Sequence, residues 1–432
     1  MDKVSIYWMR RDLRLNDNTA LTEALKSDYP VLPIFIFDKN ILSELPEDDA
    51  RVTFLHNRLE DLNEALAKDY DSSINIFYDT PKQAFDALLK EYDVQAVFTN
   101  RDYEPYAKER DEMTKEMLEE KNIEFIDFKD QVIFEKDEIK TGSGDVYKVF
   151  TPYSRNWLDK LTKTKNALSK SKLQSNFYTY TSKAIPSLED MGFKVSSTEF
   201  PSMHINESLI KEYQDNRDYP AKDATSRLGM HLRFGTISIR YLVKKAMELD
   251  KTFLNELIWR EFYMMILDAF PEVVDKAFKS KYDNINWRND EKEFKAWCEG
   301  KTGYPLVDAG MRQLNAIGFM HNRVRMVTAS FLTKHLLIDW RWGEAYFAEK
   351  LLDYELSSNN GGWQWAAGSG TDAQPYFRIF NPESQLKKFD KDHEYVKKWV
   401  PEFETEDYPK PIVEHKFARE RALEEFKKAV KK

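Results

Sequence analysis

The sequence predicts an α/β protein in two parts, a doubly wound, Rossmann-like parallel sheet followed by a connector and an all-helical domain. Three observations carry this. Short apolar runs alternate with amphipathic stretches through the first 130 residues. From Thr141 to about Ser202 the periodicity fades and Ser, Thr and Lys accumulate, as in Leu161-Thr162-Lys163-Thr164-Lys165. Beyond Asn206 the pattern turns to long helical repeats with almost no strand signal. The implied partition is 1–130, 131–202 and 203–432, with the middle stretch wrapping the surface as a long connector.

In order along the chain, Val4–Met9, Val31–Phe37, Ile74–Tyr78, Ala96–Thr99 and Ile123–Phe128 read as strands. Asn16-Asp17-Asn18-Thr19 supplies cap-type residues for the first helix, and Asp79-Thr80-Pro81 does so for a later one. No G-x-G-x-x-G follows the first strand. Arg10-Arg11-Asp12-Leu13-Arg14 stands there, so the usual pyrophosphate cradle is missing. In the last part, helices are predicted over Ile237–Leu249, Asn255–Ala269, Pro305–Ile317, Arg323–Leu337 and Gly343–Leu352.

Composition removes several classes of function. A net charge of −9 argues against a protein that coats nucleic acid non-specifically. Residues 301–345 nevertheless hold six basic side chains against three acidic, which reads either as a local positive patch or as a solvated helix face. The single cysteine, Cys298, rules out a disulfide framework and Cys-ligated clusters, and the seven histidines lack H-x-x-x-H spacing, so no metal site is expected. Gly300-Lys301-Thr302 would need Gly at 295 to complete a phosphate loop and has Lys295, and there is no G-x-S-x-G. No signal-peptide core or membrane-spanning run is visible, which points to the cytoplasm.

Two stretches carry possible chemistry. Helical spacing puts Glu256, Trp259, Arg260 and Tyr263 on one face, either as a carboxylate beside a flat apolar plate or as an i,i+4 ion pair beside core aromatics. In Asn359-Asn360-Gly361-Gly362-Trp363-Gln364-Trp365 the two indoles sit about 200° apart around a helix and must face different surroundings. The glycine pair either admits a large planar ligand or starts a helix. Eight of the ten tryptophans lie beyond Asn206, more than core volume calls for.

These stretches, with Trp8–Asn18, Thr225–Leu228, Gly300–Pro305, Met320–Arg323, Thr371-Asp372 and Pro375–Pro382 in matching order, resemble the photolyase/cryptochrome family. Within it the resemblance is to bacterial class I cyclobutane pyrimidine dimer photolyases. It implies a DNA-repair flavoprotein, a deoxyribodipyrimidine photo-lyase. Reduced FAD in the helical domain gives an electron, under blue light, to a dimer flipped out of UV-damaged DNA. It further implies a monomer without membrane or obligate protein partner. A second, antenna chromophore stays open between folate, deazaflavin, another flavin or none.

Carried over by motif, the resemblance implies that Tyr213, Thr225, Ser226, Arg227, Leu228 and Gly229 hold the FAD phosphates. Phe253, Tyr354 and Glu355 also contact the cofactor, Arg325 pairs with Asp353 beside the flavin ring, and Asn359 faces its N5. Glu256 bonds the dimer, with Trp259 and Trp365 as apolar walls and Tyr263, Asn322 and Met326 nearby. Trp363, Trp340 and Trp287 form an electron relay, while Trp297 and Trp342 pack. Arg217, Arg323, Arg378 and Gln385 contact DNA. Three residues depart from the family pattern: Gly229 where Ser is common, Glu355 where Asp is usual, and Ala107 where a folate-binding member has Glu. The alternative implied by the family is a cryptochrome, a photoreceptor without repair activity. Asn359, where plant cryptochromes carry Asp, and the short stretch left after Lys416 weigh against it. His321-Asn322, where (6-4) photolyases carry paired histidines, favours cyclobutane dimers.

Overall fold

The computed structural model describes residues 1–164, 167–168, 173–180 and 184–431. Its contacts divide the chain into two units. The first joins Met1–Glu135 with Leu161–Met203 and Leu228–Lys245, and the second joins Lys136–Lys160 with His204–Arg227 and Ala246–Lys432. Part of the sequence-predicted connector, residues 165–166, 169–172 and 181–183, lies outside the described residues.

The first unit is built on five parallel strands, β1 (Lys3–Met9), β2 (Val31–Asp38), β3 (Asn75–Asp79), β4 (Asp93–Asn100) and β5 (Glu124–Phe128), in the order β3-β2-β1-β4-β5. The fold is therefore the α/β class the sequence predicts. Val4, Ile6, Ile34 and Val97 are fully or almost fully buried, as central strands covered on both faces require. Asn18 accepts from Leu21 N to cap helix Thr19–Ala24, and Thr80 accepts from Gln83 N ahead of Pro81, so both cap signals operate as read.

The order reverses between β1 and β4, the place where a doubly wound sheet ordinarily opens a ligand crevice. Here the loop after β1 is held by a network of bonds within the first unit. Asp12 accepts from Tyr7 Oη at 2.6 Å, from Arg10 N at 2.7 Å and from Asn100 Nδ2 at 2.5 Å. Arg14 pairs with Asp130, whose other oxygen takes Arg240. Gly235 lies so close to Arg11 that a Cβ on it would sit 2.1 Å from the Arg11 carbonyl oxygen. In the stretch compared with folate-binding members, Glu104 pairs with Arg11 and Arg233, and Ala107 is buried.

The second unit is helical. Helix Pro305–Ile317 has the predicted bounds, and helices Ile239–Leu249, Lys251–Ala269 and Trp340–Lys350 match their patterns to within a few residues. Three readings need correction. The connector does not simply wrap the surface: Phe150–Lys163 is a helix whose Phe150, Tyr153 and Trp157, spaced three and four apart, are buried. Its Thr, Ser and Lys content on the other faces masked that spacing. The pattern Arg323–Leu337 is not one helix. Helix Asn322–Ser330 passes into a π turn, Phe331–His335, that carries Lys334 and His335 into the core, and Leu337 is left-handed at φ 53°. Finally, Gly361-Gly362 lies inside helix Leu356–Ala367 rather than starting it. Among the described residues no helix is long and apolar enough to cross a membrane, and no group of three His, Cys, Asp or Glu is placed to hold a metal.

Candidate functional site

A cavity of about 400 Å³ opens in the helical unit between helices 251–269, 322–330 and 356–367 and the Leu351–Glu355 turn. Helix 251–269 starts at Asp250, whose carboxylate takes Phe253 N at 2.6 Å, and this register turns Glu256, Trp259, Arg260 and Tyr263 together into the cavity. Helix 322–330 contributes Asn322, Arg325 and Met326. Helix 356–367 contributes Asn359, Gly362, Trp363 and Trp365, and the turn before it contributes Asp353, Tyr354 and Glu355.

The electrostatics are specific. Arg217 donates to the Glu256 carboxylate in an ion pair that faces the cavity. Burial pushes the Glu256 carboxyl upward and the Arg217 guanidinium pulls it back. Arg325 holds Asp353 with Nη2 at 2.8 and 3.1 Å from the two carboxylate oxygens, and anchors its own Nε on the Met320 carbonyl at 2.7 Å. Asn359 donates from Nδ2 to the Glu344 carbonyl at 3.1 Å and to Glu344 Oε1 at 2.8 Å. That leaves Oδ1 as the acceptor side of an amide whose orientation is fixed. Glu344 itself is raised by burial, offset by the Asn359 hydrogen bond. Glu355 accepts from Ser357 and Ser358 hydroxyls at the positive end of the helix.

The two glycines separate cleanly. A Cβ on Gly361 would meet the Tyr263 ring at 2.3 Å, so this glycine lets helix 356–367 approach helix 251–269. A Cβ on Gly362 would meet nothing within 4 Å and would project into the cavity. The close approach to a planar ligand, read from the sequence for the pair, is thus open to Gly362 alone.

Both indoles reach the one cavity, against the reading that their spacing turns them to different surroundings, and they differ in depth instead. Trp363 is buried against Phe347 and Trp297, with centroids at 5.0 and 6.0 Å, while Trp365 is half-buried on the cavity wall. Trp363 and Trp340 belong to one core cluster, and the half-buried Trp287 packs against it. Trp297 is fully buried and donates Nε1 to the Thr328 carbonyl. Trp342 meets Phe294 edge to face.

Other predicted residues lie off the cavity. Tyr213 and Phe253 contact each other edge to face at 5.2 Å. Thr225, Ser226 and Arg227 end the 204–227 segment with Arg227 at φ 52°, while Leu228 and Gly229 begin the segment that belongs to the first unit. Arg323 donates to Asp218 and covers the Phe389 ring at 4.4 Å. Arg378 is exposed, and Gln385 is half-buried with its Oε1 unpartnered. Glu344 and Phe347 were missed by sequence reading. Their signal was a carboxylate at i beside apolar positions i+3 and i+7 (Phe347, Leu351) on one helix face.

The family model described as the FAD binding domain of DNA photolyase matches residues 253–406, and the one described as DNA photolyase matches residues 5–171. The deoxyribodipyrimidine photo-lyase of Escherichia coli is 37% identical, and that of Halobacterium salinarum 36%, each over 99% of both chains. Among solved structures, a bacterial class III photolyase from Agrobacterium tumefaciens superposes with a TM-score of 0.88 at 34% identity, covering 100% of this chain and 98% of the other. An archaeal photolyase from Sulfolobus tokodaii, described with two FAD molecules, gives 0.86 at 34% identity over 98% and 100%. A Synechocystis cryptochrome gives 0.85 at 24% identity over 98% and 99%, a likeness of fold.

Proposed function

The chain belongs to the DNA photolyase family, and we propose that its helical cavity is where a pyrimidine dimer flipped out of DNA meets reduced FAD. As a member it is an FAD-dependent enzyme of light-driven DNA repair. The observation that carries the proposal is the cavity itself, which gathers the dimer-side set, Glu256, Trp259 and Trp365, with the flavin-side set, Arg325, Asp353 and Asn359.

The residues present fit FAD. Gly362 leaves open the space a Cβ would fill, Arg325 and Asp353 form a rigid charged pair at the cavity, and Asn359 offers a fixed carbonyl oxygen to a donor such as a reduced ring's N5–H. Bound FAD supplies the light-excited electron that splits the cyclobutane ring and receives it back. Everything else is done by the chain. Tyr213, Phe253 and the Thr225–Arg227 turn are assigned to the rest of the cofactor. Glu256, held by Arg217, presents a hydrogen-bonding carboxyl to the polar edge of a base. Trp259, Trp365 and Met326 offer the apolar faces that replace lost stacking when a base leaves the helix, a cost of a few kcal/mol that is lowest for a damaged, poorly stacked site. Trp363, Trp340 and Trp287 are assigned to reducing the flavin from outside, and Arg323, Arg378 and Gln385 to DNA. The form we assign is a cytoplasmic monomer. A chain whose single cysteine is Cys298 suits a reducing compartment.

The test is illumination of purified, reduced protein with blue light beside a thymine-dimer oligonucleotide, following recovery of thymine absorbance. Light-dependent recovery is expected. Its absence removes the repair reading. Glu256→Ala is expected to cut the repair rate at least tenfold with flavin content unchanged, the scale of losing one hydrogen bond to a charged group.

A further inference from the structure

The plate that Trp259 presents to the cavity is backed by a ring from another segment. Phe150, the first residue of helix 150–163, lies face to face with the Trp259 indole, centroids 3.7 Å apart and planes 6° from parallel. Aromatic pairs left to themselves prefer offset or edge-on contacts, so a full overlap is imposed by what surrounds the rings. Here Phe150 is pinned from three sides. Its backbone N–H donates to Asp372 Oδ2 at 3.1 Å. Two residues earlier the Lys148 carbonyl accepts from Thr371 Oγ1 at 2.8 Å. The Phe150 ring edge meets Phe262 at 5.8 Å, while Tyr153 packs on Phe262 at 5.1 Å and Trp157 donates its indole N–H to Glu261.

Phe262 and Glu261 flank Trp259 on its own helix, on the side turned away from the cavity, and both are almost fully buried. Thr371 and Asp372 lie just beyond the helix that carries Trp365, separated from its end by Gly368, Ser369 and Gly370. The two apolar cavity walls, Trp259 and Trp365, are thereby tied through one short segment, residues 148–150.

We propose that Phe150 is a positioning residue that fixes the plane of Trp259 for dimer recognition, set in place by Thr371 and Asp372. The inference rests on the cavity being the dimer pocket. A tryptophan backed by a pinned ring has lost its side-chain freedom before the ligand arrives, so binding does not have to order it. With a smaller residue at 150 the indole regains its rotamers and the wall must be rebuilt at each encounter. Phe150 is not among the residues that line the cavity, so flavin content is expected to be unaffected.

The experiment uses the FAD-loaded protein in the dark and measures Kd for an oligonucleotide duplex with one thymine dimer and for its undamaged twin. The variants are Phe150→Ala, Phe150→Leu, Phe150→Tyr, Trp259→Ala and the Phe150→Ala/Trp259→Ala double. Phe150→Ala and Phe150→Leu should each weaken dimer binding by about tenfold, with undamaged affinity and flavin absorbance unchanged. Phe150→Tyr, which keeps the ring, should bind as wild type does. The double variant should be no weaker than Trp259→Ala, because Phe150 acts only through that indole. Phe150→Leu keeps most of the apolar volume and decides the matter if Phe150→Ala does not fold. Full dimer affinity in Phe150→Leu, or losses that add in the double variant, overturn the proposal. Full affinity in Trp259→Ala instead shows that the pocket has been misassigned, and the proposal goes with it.

Discussion

The β1–β4 switch point and the cavity of the helical unit are both crowded with polar side chains paired to one another, but the cavity also keeps open volume and an acceptor that its pairings leave over. At the switch point Asp12 takes Tyr7, Arg10 and Asn100, and Asp130 takes Arg14 and Arg240. In the cavity Asn359 uses its amide hydrogens on Glu344 and keeps an acceptor, Gly362 keeps an empty place, and the Glu256–Arg217 pair faces the open volume. Fold convention puts a ligand at the switch point of a doubly wound sheet. The difference teaches that the site follows unsatisfied polar groups and empty volume rather than the fold's customary address.

If the loop after β1 is locked by these bonds, loosening it should be expensive. Gly235 has φ +62°, and a Cβ there would lie 2.1 Å from Arg11 O and 2.6 Å from Asp12 Cα, both backbone atoms that cannot swing away. Gly235→Ala combines left-handed strain of 1 to 2 kcal/mol, roughly, with a backbone collision of similar size. A loss of about 3 kcal/mol in denaturant unfolding is expected, with the Arg14–Asp130 network disturbed. A shift below about 1 kcal/mol would mean that the Arg11–Asp12 backbone yields and the loop is not rigidly held.

The next effect belongs to the helical unit but to its filled part. A Cβ on Gly343 would meet the Trp363 ring at 2.1 and 2.4 Å and Leu332 at 2.6 Å. Gly343→Ala therefore overpacks the core against gaining some helix propensity, a net cost of about 2 kcal/mol. Thermal unfolding and near-UV dichroism should both report it. An unshifted Tm would show that Trp363 is loosely held, against its burial between Phe347 and Trp297.

The two regions were also unequally legible in the sequence. The sheet announced itself because strands covered on both faces read as unbroken apolar runs, and the cap residues Asn18 and Thr80 marked helix starts. The face shared by Glu256, Trp259, Arg260 and Tyr263 followed from spacing alone, and all four reach the cavity. What spacing cannot give is partners distant in the chain. Glu256 is paired by Arg217, Asn359 is oriented by Glu344, and Trp259 is backed by Phe150, residues whose own patterns looked like solvated helix or connector. The π turn at Phe331–His335 was hidden for a related reason: its consequence, two buried basic side chains, runs against the pattern that identifies a core.

Two buried histidines give the helical unit a pH signature. Burial lowers the His321 imidazole to about 4 and the His335 imidazole to about 3 from an ordinary 6.5. A histidine depressed in the folded state favours the fold while neutral. Its contribution is complete above pH 6.5 and is lost as pH falls toward the folded value. Between pH 7 and 5.5 each should remove on the order of 1 kcal/mol. The carboxyls of Glu256 and Glu344, raised by burial, act in the opposite direction. The measurement is therefore differential: the drop in unfolding free energy between the two pH values should be smaller in His335→Gln than in wild type. Equal drops would place the acid sensitivity elsewhere.

The smallest expected stability change is also the sharpest test of the comparison. Gly362 sits in the interior of helix 356–367, where glycine costs about 0.5 to 1 kcal/mol relative to alanine, and a Cβ there meets no protein atom within 4 Å. Judged on the protein alone, Gly362→Ala should be a stabilising change of that size. Judged on the cavity, it places a methyl group where a ring must lie, and should lower the flavin retained through purification. Gly361→Ala, one residue away, would strike Tyr263 at 2.3 Å and should destabilise with or without flavin. Opposite signs for stability and flavin content in Gly362→Ala would show that this glycine is kept for the ligand. A variant that gains stability and still fills with flavin would mean that the cofactor does not approach this turn of the helix.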